Sequence, residues 1–260
     1  MGSLAGKSPA NTYKSLLKVA DETNGVSTSI SKIEDGEGTE TCTSISSRAL
    51  RVQPATNTVN TFDVKNTNGD ALLTVDSSNS LVKVGTSQVN ATTQLLTFAA
   101  YRLVPSASGT HMVVGLGGLE YATEMAERTL GTGTDPSTSL NSTTTTDDYT
   151  NAIFPVPYNM TIDAVKVLSS TDTDTDTTLN FHLMSYDMVA DGTTSDGDLS
   201  NGVVLADGQA TSVDRSVTKT TDLTIQSSSV TSGKVIMCTV ENETNTDDIN
   251  LQVQVKYHIA

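Results

Sequence analysis

There is no tryptophan in this chain of 260 residues, and aromatic residues make up only 4 % of it. An interior built on stacked rings is therefore excluded, and a sugar-binding surface loses its best stacking residue. Basic residues are scarce as well. The 15 Lys and Arg face 30 Asp and Glu, a formal net charge of −15. Such a surface repels phosphate backbones and anionic lipid, and no window clusters enough Lys or Arg to override it, so neither nucleic acid nor membrane insertion is expected. No stretch approaches the roughly 18 consecutive apolar residues of a membrane-spanning helix. The opening MGSLAGKSPANTYKSLLKV has no continuous apolar segment, so no secretory leader is expected. Cysteine is limited to Cys42 and Cys238, too far apart in sequence to suggest a staple framework; two free thiols are expected.

What fills the chain instead is Thr, Ser, Asn, Asp and Gly, residues that favour turns, exposed strands and loops over helices. The stretch FDVKNTNGDALLTVDSSNSLVKVG (residues 62–85) is typical: short apolar bursts cut by Asn/Gly or Asp/Ser corners. Similar bursts recur about every ten residues from Tyr13 to Gly85. Strands of three to five residues bury too little to offset the entropy of ordering them. They become credible when stacked on one another or when neighbouring chains supply the missing side of a narrow core. A meandering β-domain inside a monomer and a flexible leader are the competing readings. The organisation expected is a flexible N-terminus (1–12), an attachment and shaft-like region (13–104), a connecting region with a short helix and a polar loop (105–151) and a β-sandwich head (152–260). Residues 86–104 read as one bulged strand or a short helix. In HMVVGLGGLEYATEMAERTL (111–130) a strand breaks at glycines before the helix, and GTGTDPSTSLNSTTTTDDYTN (131–151) reads as a surface excursion.

The distal half changes texture. Strands lengthen at 161–170, 177–187, 201–207, 221–230, 233–242 and 249–260. In the last, Leu251, Val253, Val255 and Tyr257 alternate with Gln252, Gln254, Lys256 and His258. That period of two predicts antiparallel sheets with one wet and one dry face, paired as a sandwich or jelly roll, with the final strand central or near-central. The fold class expected is all-β: a short-stranded N-terminal oligomerisation region followed by an antiparallel β-sandwich.

Catalytic motifs are missing. No G-x-S-x-G, H-E-x-x-H, P-loop or dinucleotide pattern occurs, and His111, His182 and His258 sit in strand-like contexts that read as structural. No enzyme activity and no cofactor are expected. Asp172, Asp174 and Asp176 alternate in SSTDTDTDTTLN, a solvated tip or, less favourably, a calcium site, since the glycine and the closing acid of an EF-hand loop are missing. Tyr121, Tyr149 and Tyr158 are the aromatics left for loops or edges, hence the candidates to face a ligand.

The pattern of residues 62–85 is similar to the shaft repeats of tailed-bacteriophage fibre and tail-spike proteins. The leader YKSLLKVADETNGVSTSISKIEDGEGTETCTSISSRALRV resembles the N-terminal part of small virion structural proteins of marine phages, and AIFPVPYNMTIDAVKVLSS with LNFHLMSYD resembles the opening of their globular heads. The resemblance implies a homotrimer in the virion, anchored by its N-terminal region to a capsid or tail protein and displaying a C-terminal β-domain. The short shaft favours a head fibre or capsid decoration protein over a long tail fibre. Phe62, Val64, Leu72, Val75, Leu81 and Val84 would then meet their copies around the trimer axis. A host-surface glycan-binding module, with its edge at 131–151, 171–178 and 191–202, is the alternative, and a hydrolase on a β scaffold the third reading.

Overall fold

β-branched and leucine bursts between Asx- and glycine-bearing corners suit antiparallel ladders. The computed structural model of the chain describes residues 16–21, 23–105, 107–117, 129–140, 149–190 and 197–260; these residues are all-β, with no helix among them. The chain divides into two units, Met1–Ala91 and Thr92–Ala260.

The first unit holds two four-stranded antiparallel meanders. One runs β1 (Lys18–Val19), β2 (Ser31–Glu34), β3 (Glu40–Ile45), β4 (Leu50–Val52); the other runs β5 (Phe62–Lys65), β6 (Ala71–Asp76), β7 (Leu81–Val84), β8 (Val89–Asn90). The corners close as their composition demands. Asn66 Oδ1 accepts from the backbone N–H of Asn68 and Asp70, and Gly69 takes the left-handed conformation (φ 90°) that the turn needs. Asp76 does the same at the next corner. Its carboxylate accepts from the Asn79 side chain at 2.9 Å, the Asn79 N–H at 3.0 Å and Lys83 Nζ at 3.0 Å.

The second unit is the β-sandwich. Its strands are β9 (Thr93–Leu103), β10 (His111–Val114), β11 (Phe154–Pro155), β12 (Met160–Thr171), β13 (Thr177–Met188), β14 (Leu199–Val213), β15 (Lys219–Asp222), β16 (Thr224–Ile225), β17 (Ser229–Val230), β18 (Lys234–Asn242) and β19 (Ile249–Ile259). One sheet has the order β10-β18-β13-β14-β16, with β11 also on β18. The other has β15-β12-β19-β9, with β17 also on β12. The main core lies between them, with Phe98, Val165, Val167, Val253 and Val255 from one sheet meeting Leu179, Phe181, Leu183, Ile236 and Val240 from the other. The closing strand β19 is central and alternates as its sequence predicts. The broken alternation in β12 has a cause: a bulge between Ile162 and Ala164 shifts the phase so that both Ile162 and Val165 point inward.

Three expectations shift. The boundary at 104 moves to 91, because residues 93–103 form a full strand of the sandwich, bulged near Arg102 and paired along its length with β19. The segment 221–230 is not one strand: β15 pairs with β12, then the chain changes sheets at Leu223 and β16 pairs with β14. The six-stranded sheet is dry on its inner face and over part of its outer face. Its outer face carries a second core of Val113, Met184, Tyr186, Val235 and Met237, covered by Leu130, Tyr149 and Ala152. The polar segment expected as an excursion therefore acts, over 129–140, as a cover. Gly202 marks how closely it lies, for a Cβ there would stand 2.7 Å from Thr138 Cα. The helix expected over 119–130 lies outside the described residues up to 128, and its last two positions are not helical: Thr129 bridges to Met112 and Leu130 packs in the second core.

Asp76 gives the first unit a pH signature. Hydrogen bonds from Asn79, then from Lys83, lower its carboxyl from 3.8 to about 2. A depressed folded-state value means its contribution is complete above about pH 4 and is lost as pH falls toward 2. The side-chain carboxyl carbon of Asp76 should titrate by NMR with a midpoint near 2, and Asp76→Ala should lose less melting temperature than the parent over that window. A midpoint near the ordinary aspartate value would remove the bonds described.

Candidate functional site

Residues directly opposed in an antiparallel pair share a face. In the second meander the rows Phe62, Val75, Val82 and Val64, Leu73, Val84, Val89 run straight across the strands, so seven apolar side chains occupy one face. The other face carries the row Asp63, Thr74, Lys83, Asn90 and the pair Asp76 and Leu81. The first meander is segregated in the same way. Val19, Ile33, Ile45, Leu50 and Val52 share one face, while the other presents Glu34, Ser44 and Arg51, with Lys18 bound to Glu34 and Lys32 to Glu40.

Among the described residues of the first unit, nothing buries these faces. Among the described residues of the first unit the buried side chains are Ser44, Ser46, Thr74 and Asp76, all polar. Phe62, Val64, Val82, Val84 and Val89 each keep 41–42 % of their surface exposed. Complete burial of such a side chain is worth about 1.5–3 kcal/mol, so the exposure left at these five holds on the order of 3–6 kcal/mol per chain. Association costs roughly 4–15 kcal/mol, so the exposed face of the second meander alone would be marginal for joining copies.

The six residues expected at a common axis do not share one face. Phe62, Val64, Val75 and Val84 do, but Leu72 and Leu81 belong to the opposite side with Thr74 and Asp76. The correction follows from strand parity. Within the doublet Leu72/Leu73 and the run Leu81-Val82, the second residue is the one on the apolar face.

In the second unit, the outer face of the six-stranded sheet turns polar at one end and forms a cleft of about 500 Å³. It is lined by Asn180 and His182 of β13, Asp207 and Gln209 of β14, Glu241 and Glu243 at the end of β18, and the loop Thr132–Asp135. His182 packs edge-on against His111, ring centroids 5.0 Å apart. His111 Nε2 lies 2.7 Å from the Gly133 carbonyl oxygen, tying the loop to the sheet. Asn180 Nδ2 donates to Glu241 Oε2 at 2.9 Å and to Glu243 Oε2 at 3.3 Å, and Gln209 Nε2 donates to Asn180 Oδ1 at 2.8 Å and to Glu243 Oε2 at 3.2 Å. His111 Nδ1, His182 Nδ1 and Thr239 Oγ1 are buried without a hydrogen-bond partner. Sequence reading assigned these histidines structural roles, and no local motif marks the cleft.

The aspartate run forms an exposed connection between β12 and β13, in line with the solvated reading, with Asp174 and Asp176 exposed and two of its members facing arginines. Asp174 meets Arg215 at 2.6 Å and Asp172 meets Arg102 at 3.9 Å, while Asp172 Oδ1 also accepts the Asp248 N–H. No cluster of three or more His, Cys, Asp or Glu arranged to hold a metal ion occurs among the described residues. Of the three tyrosines, Tyr149 is buried (5 %) in the second core and faces no ligand. Tyr121 lies outside the described residues. Tyr158 is exposed and borders a small apolar hollow of about 100 Å³ with Phe154, Pro157, Met160 and Tyr257. Cys42 and Cys238 are free thiols. No helix among the described residues is long and apolar enough to cross a membrane. Compared with protein-family models and with curated proteins, the chain matches none.

Burial, and then the neighbouring His111, lower the His182 imidazole below 6.5, against the opposing pull of Asp135, Asp207 and Glu241. A histidine with a depressed folded-state value stabilises fully above the unfolded value and loses that contribution as pH falls below it. The His182 ring proton should titrate by NMR with a midpoint under 6.5, and His182→Gln should flatten the loss of melting temperature below neutral pH. A midpoint at or above 6.5 would contradict this cleft geometry.

Proposed function

We propose that the chain is a noncatalytic bacteriophage virion protein, a homotrimeric short fibre or capsid-decoration protein. Its first unit assembles with its copies and anchors on a capsid or tail protein of the same virion; its second unit is the β-domain that this anchor carries. The observation that supports the reading is the first unit's lack of any buried apolar side chain among its described residues, beside two sheets that each gather their apolar residues on one face. A sheet with one apolar face must lay it against something, and identical copies offer identical faces. The likeness of residues 62–85 to phage shaft repeats supports the trimer and the virion setting.

A second reading, a module that binds host-surface glycans, is favoured by Tyr158. Its exposed ring beside Phe154 and Tyr257 is the sort of apolar platform on which a sugar face stacks.

Light scattering of the purified chain should give a single species near three times 27.3 kDa. Val82→Asp with Val84→Asp should return it to one chain's mass, whereas Leu72→Asp, on the opposite face, should leave the assembly intact. A parent that stays monomeric at micromolar concentration, or a Leu72→Asp variant as disruptive as the double variant, would count against assembly through this face. The glycan reading predicts saturable binding on a glycan panel that Tyr158→Ala weakens at least tenfold; no saturable binding to any member would defeat it.

A further inference from the structure

The cleft on the six-stranded sheet is unbalanced in two respects. Asp135, Asp207, Glu241 and Glu243 line it, and no lysine or arginine does. The basic side chains with ion pairs in this unit are engaged elsewhere: Arg102 with Asp172 and Asp248, Lys166 with Asp222, Arg215 with Asp174, Lys234 with Asp187. The second imbalance is in hydrogen bonding. The amide groups that could donate into the space are already committed, Asn180 Nδ2 to both glutamates and Gln209 Nε2 to Asn180 and Glu243, while Gln226 donates to Asp207 Oδ1 at 2.7 Å. What remains on offer is overwhelmingly acceptor: carboxylate oxygens with unused lone pairs.

His182 adds an independent sign of a missing donor. It is 5 % exposed and lines the cleft, its Nδ1 has no partner, and its Nε2 stands 3.5 Å from Asp135 Oδ1. A nearly buried imidazole with unused hydrogen-bonding capacity carries a desolvation cost that a bound group would relieve.

We infer that this cleft is a binding site for a small organic cation, a ligand bearing a primary ammonium or guanidinium group. Such a group brings several N–H donors and a positive charge to a site that supplies acceptors and negative charge. An anion is repelled. A neutral sugar needs donors as well as acceptors and finds the side-chain amide donors spent. A bare metal ion would fill little of about 500 Å³, a volume in the range of small-molecule sites. The site belongs to the second unit alone and does not depend on trimer assembly.

The test is calorimetric titration of the full-length chain at low ionic strength with putrescine and, separately, agmatine, with glucose, succinate and manganese chloride as comparison ligands. Saturable binding of putrescine or agmatine is expected, with none of glucose or succinate. Asp207→Asn combined with Glu243→Gln should weaken it at least tenfold, and Asp135→Asn, on the loop and outside the strand packing, should weaken it too. Asp174→Asn combined with Asp222→Asn, which removes the same charge elsewhere on the unit, should leave binding unchanged. Failure of both cations to bind would overturn the proposal, as would equal binding of glucose, binding of manganese alone, or equal losses in the cleft and control double variants. Melting curves confirm that each variant is folded, and the single Asp135→Asn variant decides if the double variant is not.

Discussion

An antiparallel sheet with one apolar face is incomplete until that face is covered, and this requirement separates the two units. The six-stranded sheet of the sandwich is covered twice, by the five-stranded sheet inside and by residues 129–140 and 149–153 outside. Among the described residues, the meanders of the first unit have no buried apolar side chain of their own. Their corners are well made and their registers unambiguous, yet turn hydrogen bonds are worth only about 0.5–1.5 kcal/mol each. Such bonds specify where strands begin and end; they do not supply the burial that holds a sheet together. This want of buried apolar surface among the described residues is what supports the proposed assembly with copies of the chain.

Register carries the same constraint. Because side chains alternate, a slip of one residue in β6 or β7 would move Val75, Val82 and Val84 to the charged side and bring Thr74 and Lys83 to the apolar one. Asp76 guards against this. Its buried carboxylate binds Asn79 within the turn and Lys83 on the next strand, so one side chain fixes both the corner and the pairing. A polar group buried in an otherwise thin sheet is costly unless satisfied, and here its satisfaction is tied to the correct alignment.

These differences explain what could be read from the sequence. The strands of 62–85, the alternation of β19 and its central place were legible because they depend on local pattern. Leu72 and Leu81 were placed on the wrong face because a doublet of apolar residues has no phase of its own; strand pairing and the bulge after Val64 decide which member points where. The second core was hidden because part of its cover, GTGTDPSTSL, looks like solvent-loving loop, although Leu130 and Leu140 pin it down. Tyr149 was misread for the same reason. The cleft was invisible in principle: His182, Asp207 and Glu241 meet only through the pairing of β13 with β14 and β18, and Asp135 arrives on a separate loop tied to His111 through Gly133.

The two units thus leave opposite demands open, one for apolar surface and one for positive charge, and the demands respond oppositely to salt. Each chain carries a net charge of −15, so bringing copies together works against mutual repulsion that ions screen over roughly 10 Å at 0.1 M. Added salt therefore assists the joining of apolar faces. The same screening weakens attraction between the cleft's carboxylates and an organic cation. The proposed assembly of the first unit and the proposed cation binding in the cleft are therefore separable. Neither needs the other's residues, and the ionic conditions that strengthen one relax the other.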